Sequence, residues 1–548
     1  MSAPAPSYAS GTSDVPLLGE TIGAVLTRQA RDNGDLEALV DVQAGKRWTF
    51  AELDADVSRL AAGLLAKGIQ AGDRVALWAP NHGEWVITQY AAARVGAILV
   101  VVNPAYRTHE LKYVLNQSGS RMLITVPAFK TSDYRSMVAE VAPECPELAD
   151  IVFIGDPEWT QLSTGTEPGP EVMERQDSLS FDDPINIQYT SGTTGFPKGA
   201  TLTHHNILNN GYFVGAVCKY TSDDRVCVPV PFYHCFGMVM GNLAGLSHAA
   251  TVVIPAPAFD PAATLKAVAQ ERCTSLYGVP TMFIAMLADP SIGDLDLSSL
   301  RTGIMAGSPC PVEVMKRVVS EMGMTEVTIA YGMTETSPVS CHTRTDDDLE
   351  RRVSTIGRVH PHLEIAIVDP ETNKIVPRGT RGEFRTRGYS VMRGYWNDPE
   401  KTAEAIDEAG WMRTGDLAEM DADGYVKIVG RIKDTVIRGG ENIAPREIEE
   451  FLYTHPDIVD VQVVGVPDEK FGEELCACVK VAEGKTLDAA AVREFCTGKI
   501  SHHKIPKYVV IVDEYPMTVT GKIQKNILRE RMATQLDLAP GEAGSKPV

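Results

Sequence analysis

At 548 residues the chain is too long for one ordinary hydrophobic core, and about two to four domains are expected. Its 44% hydrophobic and 22% charged residues are those of a soluble globular protein, and a formal net charge of −21 weighs against a nucleic-acid or anionic-membrane binder. A small anionic substrate stays open, because a local cationic pocket survives in an acidic protein.

The chain opens on MSAPAPSYASGTSD, small, polar and proline-bearing, with no basic residue before Arg28. This reads as a disordered lead-in over residues 1–20 rather than a secretory signal or transit peptide. From about residue 45 to 155, helix-like and strand-like segments alternate, which implies βαβ units and a largely parallel sheet. Thr49 and Glu52 have capping-box spacing, Leu53, Val57, Leu60 and Leu64 share one helical face, and Gly68 is a stop signal. DRVALWAP and AILVVVN are buried strands on either side of the helix EWVITQYAAARVG. No apolar run approaches the roughly 20 residues that a bilayer crossing needs.

Residues 225–340 continue the pattern with short apolar runs ending in Gly or Pro, among them RVCVPVP, SLYGVP, RTGIMAG and EVTIAYG. Chemistry-bearing residues follow several of these ends, as expected of a site at the carboxyl edge of a parallel sheet. Between about 355 and 430 short strands and turns suggest a small antiparallel β subdomain, in which Asp421 and Asp423 read as turn residues before Gly424. Past GRIKD the chain resumes as a compact α+β pattern, and residues 538–548 read as a frayed tail. The ten cysteines are scattered; Cys476 and Cys478 alone are close, which is a poor zinc signature, and reduced core cysteines of a cytoplasmic protein are expected.

The stretch YTSGTTGFPKG, Tyr189 to Gly199, reads as a loop for phosphate. Gly192, Gly195 and Gly199 let backbone N–H groups converge on an anion, Ser191, Thr193 and Thr194 add hydroxyl donors, and Lys198 adds a charge. Gly199 stands where a Walker A loop needs Ser or Thr, so this is a phosphate loop of another kind. By itself the loop shows phosphate affinity and nothing more.

The loop resembles that of the acyl-adenylate-forming superfamily of acyl-CoA synthetases, luciferases and peptide-synthetase adenylation domains. The resemblance runs from about residue 20 to 535 through several motifs in order. It implies an α/β fold: a large N-terminal domain over 21–431 with βαβ-type parallel sheets and the 355–430 β subdomain, a hinge at 432–434, and a small mobile α+β C-terminal domain over 435–537. ATP contacts are implied from Thr190 through Lys198, including Phe196 and Pro197, and at Gly307 and Ser308. In YGMTETSP, Tyr331 offers a face to adenine, Thr334 a hydroxyl to the α-phosphate and Glu335 a hard oxygen ligand to Mg²⁺, with Gly332 beside them; the resemblance assigns the same roles. It further implies that Asp416 binds the ribose hydroxyls, Arg431 contacts ribose and phosphate, and Lys433 is the hinge. Arg438, Gly439 and Gly440 are implied to approach the thiol of CoA, and Lys522 to be the C-terminal catalytic lysine. A cation there would stabilise charge building between the attacking carboxylate and the α-phosphate. Lys525 lies outside the matching position.

His234 matches the gate beside the carboxylate path. Residues 232–240 contain no carboxylate to pair with a substrate ammonium, which disfavours an amino-acid substrate. Met238 and Val239 offer adaptable apolar lining, and Cys235, Gly241 and Val279 complete the expected acyl pocket. Gly237, Gly241 and Gly245 recur every fourth residue, which gives either a groove for an acyl chain or close helix packing. Ala306-Gly307-Ser308-Pro309 departs from the family's usual GGAP form.

The expected activity is therefore ATP- and Mg²⁺-dependent activation of a fatty acid of medium chain as acyl-AMP, then transfer to CoA. An acyl-AMP ligase loading a carrier protein and a luciferase-like oxygenase are the rivals. The expected partners are small molecules, with no nucleic acid and no transmembrane segment; a homodimer is compatible with all of this.

Overall fold

Thr49 caps the helix Phe50–Ala66 as its spacing to Glu52 requires: its Oγ1 accepts from the Glu52 amide at 3.2 Å, and Glu52 Oε2 accepts from the Thr49 amide at 2.9 Å. Leu53, Val57, Leu60 and Leu64 are buried, and Gly68 turns the chain at φ +77°. This computed structural model describes residues 5–190, 197–308, 310–439, 441–518 and 523–538.

Among the described residues, two largely parallel sheets build the N-terminal domain, one of seven strands and one of nine. In the first, Pro184–Thr190, Ile98–Val101, Arg74–Trp78, Ser120–Thr125 and Asp150–Phe153 run parallel in that spatial order. Lys198–Thr203 and then Gly394–Tyr395 extend it antiparallel beyond Pro184–Thr190. In the second, Glu326–Gly332, Thr302–Ala306, Ser275–Gly278, Arg225–Cys227, Thr251–Ile254 and Glu37–Asp41 are parallel neighbours. Strands covered on both faces are apolar without alternation, as in the wholly buried ILVV of Ile98–Val101.

The antiparallel subdomain has an unforeseen member. The expectation of a disordered lead-in over 1–20 is corrected for the described part, because Tyr8–Ser10 pairs antiparallel with Leu363–Val368. Ser7 is buried, its N–H donates to Val376 O at 2.8 Å, and Tyr8 Oη donates to Glu364 at 2.7 Å, 356 positions away. The sheet continues through Gly382–Gly388, Met412–Met420 and Val426–Arg431. Asp421 Oδ1 accepts from the amides of Asp423 and Tyr425, both at 2.9 Å, so these acids are turn-formers.

In the C-terminal domain Ile458–Asp468 and Gly472–Val481 form a long hairpin joined by Val436–Arg438 and by Tyr508–Ile511. Helices Pro445–Leu452, Ala489–Cys496 and Lys525–Gln535 cover it, with a separate core around Val461, Val463, Leu475 and Val479. All ten cysteines are buried and free. Among the described residues no helix is long and apolar enough to cross a membrane.

Candidate active site

The strand Pro184–Thr190 alternates sharply. Ile185 and Ile187 face one way, and Asn186, Gln188 and Thr190 face the other. Thr190 Oγ1 donates to Glu335 Oε1 at 3.3 Å, and Tyr395 Oη donates to the same oxygen at 2.8 Å. Lys198 Nζ stands 5.0 Å from the Tyr395 ring centroid, over its face. Glu335 lies in the single turn Thr334–Thr336, which follows the strand Glu326–Gly332. At Gly332 a Cβ would fall 1.6 Å from Pro338 O, so only glycine lets this turn close. Thr334 and Glu335 are both buried.

Glu335 forms no ion pair among the described residues; its partners are hydroxyls. A buried carboxylate so surrounded fits a hard divalent cation, which takes oxygen ligands. Among the described residues no group of three or more His, Cys, Asp and Glu side chains could cage a metal. The donor set fits Mg²⁺ held by one carboxylate and by substrate phosphates.

A second cluster adjoins. Asp416 and Arg431 are register partners on the strands Met412–Met420 and Val426–Arg431. Arg431 Nε sits 3.0 Å from Asp416 Oδ1, while Tyr331 Oη donates to Asp416 Oδ2 at 2.6 Å. Burial first, and the Asp416 charge second, push the Tyr331 phenol well above its usual range. Phe384 meets the Tyr331 ring edge-on at 5.0 Å, fixing its plane. Gly307, at φ +88°, and Ser308 follow the end of Thr302–Ala306.

His234 sits in a tight turn before a buried helix. Its N–H donates to Pro231 O at 3.3 Å, and its Nδ1 accepts from the Phe236 amide at 3.1 Å. The helix Phe236–Leu243 is a π-helix, a wide form that recurs at functional sites. A Cβ on Gly241 would lie 2.9 Å from Val228, and one on Gly245 2.5 Å from Val252. Gly241 and Gly245 therefore pack closely on Val228 and Val252, and Gly237, where a Cβ would lie 2.4 Å from Pro231 O, on the turn that carries His234, as the close-packing reading expects. Cys235, Met238, Val239 and Val279 are buried around this turn. Burial pushes the Cys235 thiol up, with the Glu335 charge adding to it, so the group is no nucleophile.

Pro229, Pro231 and Tyr233 of this region line a cavity of about 360 Å³ together with Met517 and Thr518 of the C-terminal domain. Across the domain boundary Arg381 Nη2 reaches Glu447 Oε1 at 2.8 Å, and Lys504 pairs with the same carboxylate. Lys433 lies in the turn Ile432–Asp434, where partial burial and then the Arg431 charge lower its pKa. Arg438 and Gly439 do not join the nucleotide cluster. Arg438 pairs with Glu474 at 2.8 Å and lies over Phe471, and the Gly439 amide donates to Phe471 O at 2.8 Å. Ser191, Gly192, Thr193, Thr194, Gly195, Phe196, Gly440 and Lys522 fall outside the described residues, as does Pro309.

Sequence reasoning missed Tyr395, which a two-residue strand brings to Glu335 by pairing with Ala200. Nothing local marks it. It also missed Gln188, whose only signal is a polar residue at an inward position of a buried strand.

A family model described as AMP-binding enzyme matches residues 26–396, and one described as AMP-binding enzyme C-terminal domain matches 447–522. YngI of Bacillus subtilis (strain 168), provisionally named an acyl-CoA synthetase, is 49% identical over 96% of this chain and 100% of its own. The mitochondrial medium-chain acyl-CoA ligase ACSF2 of Danio rerio is 46% identical over 97% of this chain and 91% of its own. The solved structure of ATP-bound MatB from Rhodopseudomonas palustris has a TM-score of 0.82 at 32% identity, covering 94% of this chain and 99% of that one. With matches of this extent in both parts of the chain, the protein belongs to the family of AMP-binding enzymes, among its acyl-CoA synthetases.

Proposed function

We propose that the protein activates a medium-chain fatty acid with ATP and passes the acyl group to CoA. The observation that carries this reading is the adjacency of two sets: Thr190, Tyr395 and Glu335, and Tyr331, Asp416 and Arg431. The first fits magnesium-bound phosphates, and the second fits a ribose and its base. The turn at His234, with no carboxylate over 232–240, favours an uncharged acyl tail. The ACSF2 relative, named a medium-chain ligase, supports the chain length.

In the first step a carboxylate oxygen of the acid bonds to the α-phosphorus, and the bond to the bridging oxygen breaks to release pyrophosphate. Asp416 holds the ribose hydroxyls, Arg431 bridges ribose and phosphate, and the Tyr331 ring faces adenine. Thr334 donates to the α-phosphate, Thr190 and Lys198 hold the leaving end with the rest of the phosphate loop, and His234 orients the acid. Magnesium, when bound at Glu335, supplies charge neutralisation to the phosphates. Lys522 brings a cation to the attack. In the second step the CoA thiolate, its proton having gone to solvent, bonds to the acyl carbon, and the bond from that carbon to the phosphate oxygen breaks to release AMP. A turn at Lys433 brings Arg438, Gly439 and Gly440 toward that thiol. Ten buried, free cysteines support a reducing compartment, and the cytoplasm is the location proposed.

The test is pyrophosphate release across a ladder of carboxylic acids, with CoA or a phosphopantetheinylated carrier protein as acceptor. A maximum at medium-chain acids with CoA is expected; a preference for the carrier, or for aryl acids, overturns the reading.

A further inference from the structure

We infer that Gln188 is a positioning residue for acid activation, setting His234 at a fixed distance from Glu335 through the backbone of Cys235. The inference rests on the proposed place of His234 beside the substrate carboxylate.

Gln188 is 2% exposed, on an interior strand, with Val101 and Ala200 as its register partners on the two flanking strands. Burying an amide there carries a cost unless its bonds are made. Its Oε1 accepts from the Cys235 amide and from Cys235 Sγ, both at 3.1 Å. Its Nε2 has a weak acceptor, Met238 Sδ at 3.8 Å. The other side of the same turn is held by a second buried amide. Asn81 Nδ2 donates to Val230 O at 2.9 Å, and Asn81 Oδ1 accepts from the Phe232 amide at 2.8 Å. Two amides from the seven-stranded sheet side thus clamp the backbone before and after His234.

The clamp reaches the imidazole. Because the Phe236 N–H donates to His234 Nδ1, that nitrogen carries no proton, and the proton of the neutral ring sits on Nε2. A shift of Cys235 carries the Phe236 amide with it, and so disturbs both the ring's direction and its tautomer. Gln188 and Thr190 also share one face of one strand, roughly 7 Å apart. Thr190 bonds Glu335 while Gln188 bonds the His234 turn. One strand therefore sets the span between the phosphate side and the acid side of the site. Positioning of this kind matters because small misplacements of reacting groups cost large factors in rate.

The experiment is a double-mutant cycle of Gln188→Met with His234→Ala, read by ATP–pyrophosphate exchange on the full-length enzyme with octanoate as the acid. Gln188→Met alone should raise the KM for the acid about tenfold, the effect of one lost bond to a buried group, and leave the KM for ATP within about twofold. In the His234→Ala background the same substitution should add less than about twofold, because its effect runs through the histidine. Multiplying effects in the double variant, or a parallel rise in the KM for ATP, overturn the inference while leaving the His234 reading intact. An unchanged acid KM in His234→Ala alone overturns both. Should Gln188→Met fail to fold, Gln188→Asn, which keeps an amide one methylene shorter, enters the same cycle under the same criteria.

Discussion

Tyr395 Oη lies 2.8 Å from Glu335 Oε1, joining a strand of the seven-stranded sheet to the turn that follows a strand of the nine-stranded one, 60 positions away. The phenol helps hold in place a carboxylate that has no cationic partner among the described residues. Tyr395→Phe should leave the fold intact but loosen Glu335. The Mg²⁺ concentration for half-maximal pyrophosphate exchange should rise about fivefold, with the rate recovering at saturating Mg²⁺. Glu335→Gln should lose at least about a hundredfold at any Mg²⁺. Equal Mg²⁺ curves for Tyr395→Phe and wild type would remove the metal role from this pair.

Asp416 receives both the Tyr331 phenol and the Arg431 guanidinium, so its two oxygens are oriented before nucleotide arrives. Asp416→Asn should raise the KM for ATP about tenfold or more through loss of charged acceptors, with the acid KM little changed. Steady-state kinetics with each substrate varied in turn separates the two.

Met517 and Thr518 line the same cavity as Tyr233, next to the His234 turn. Lys522→Ala should abolish carboxylate-dependent ATP–pyrophosphate exchange yet largely spare thioester formation from supplied acyl-AMP. Lys433→Pro should do the reverse by stiffening the turn. Exchange near the wild-type level in Lys522→Ala would show that another group supplies the charge.

The ion pair of Arg381 with Glu447 crosses the domain boundary but is more than a third exposed on the arginine side, so it contributes less than about 1 kcal/mol. Arg381→Ala should slow exchange less than about fivefold and leave thioester formation from acyl-AMP at least as fast. A larger loss in the second reaction than in the first would mean that the pair does not favour the arrangement seen here.

His204 is wholly buried with Nδ1 accepting from the Ile22 amide at 3.2 Å, and burial lowers its pKa from 6.5 to about 3. The folded value lies below the unfolded one, so the contribution to stability is complete above about pH 6.5 and is lost as pH falls toward 3. His342 and His360 are lowered by burial too and act with the same sign. Between pH 7 and pH 5 His204 alone should cost about 2 kcal/mol. Urea denaturation at the two pH values should show the midpoint falling, and His204→Asn should shrink that difference; an unshrunk difference would exclude His204 as its source.

Local chemistry was legible from the residues themselves. The capping box at Thr49 and Glu52, the helix it starts, the turn at Asp421 and the strands of the C-terminal hairpin all follow from nearest-neighbour rules, and the structure contains them. The family resemblance singled out Tyr331, Glu335, Asp416 and Arg431, and the structure gathers Tyr331, Asp416 and Arg431 into one cluster and sets Glu335 against Thr190 and Tyr395. Only tertiary structure decided the rest. Tyr8–Ser10 is a strand because Leu363–Val368 offers it an edge, although its own composition is that of a coil. The small face of Gly237, Gly241 and Gly245 packs against the Pro231 backbone, Val228 and Val252, neighbours that the sequence pattern does not name. Tyr395 and Gln188 gain their meaning from Glu335 and Cys235, which folding alone brings near. A side chain's own pattern determines which bonds it can make; which partner it meets hundreds of positions away is determined by how the sheets pack.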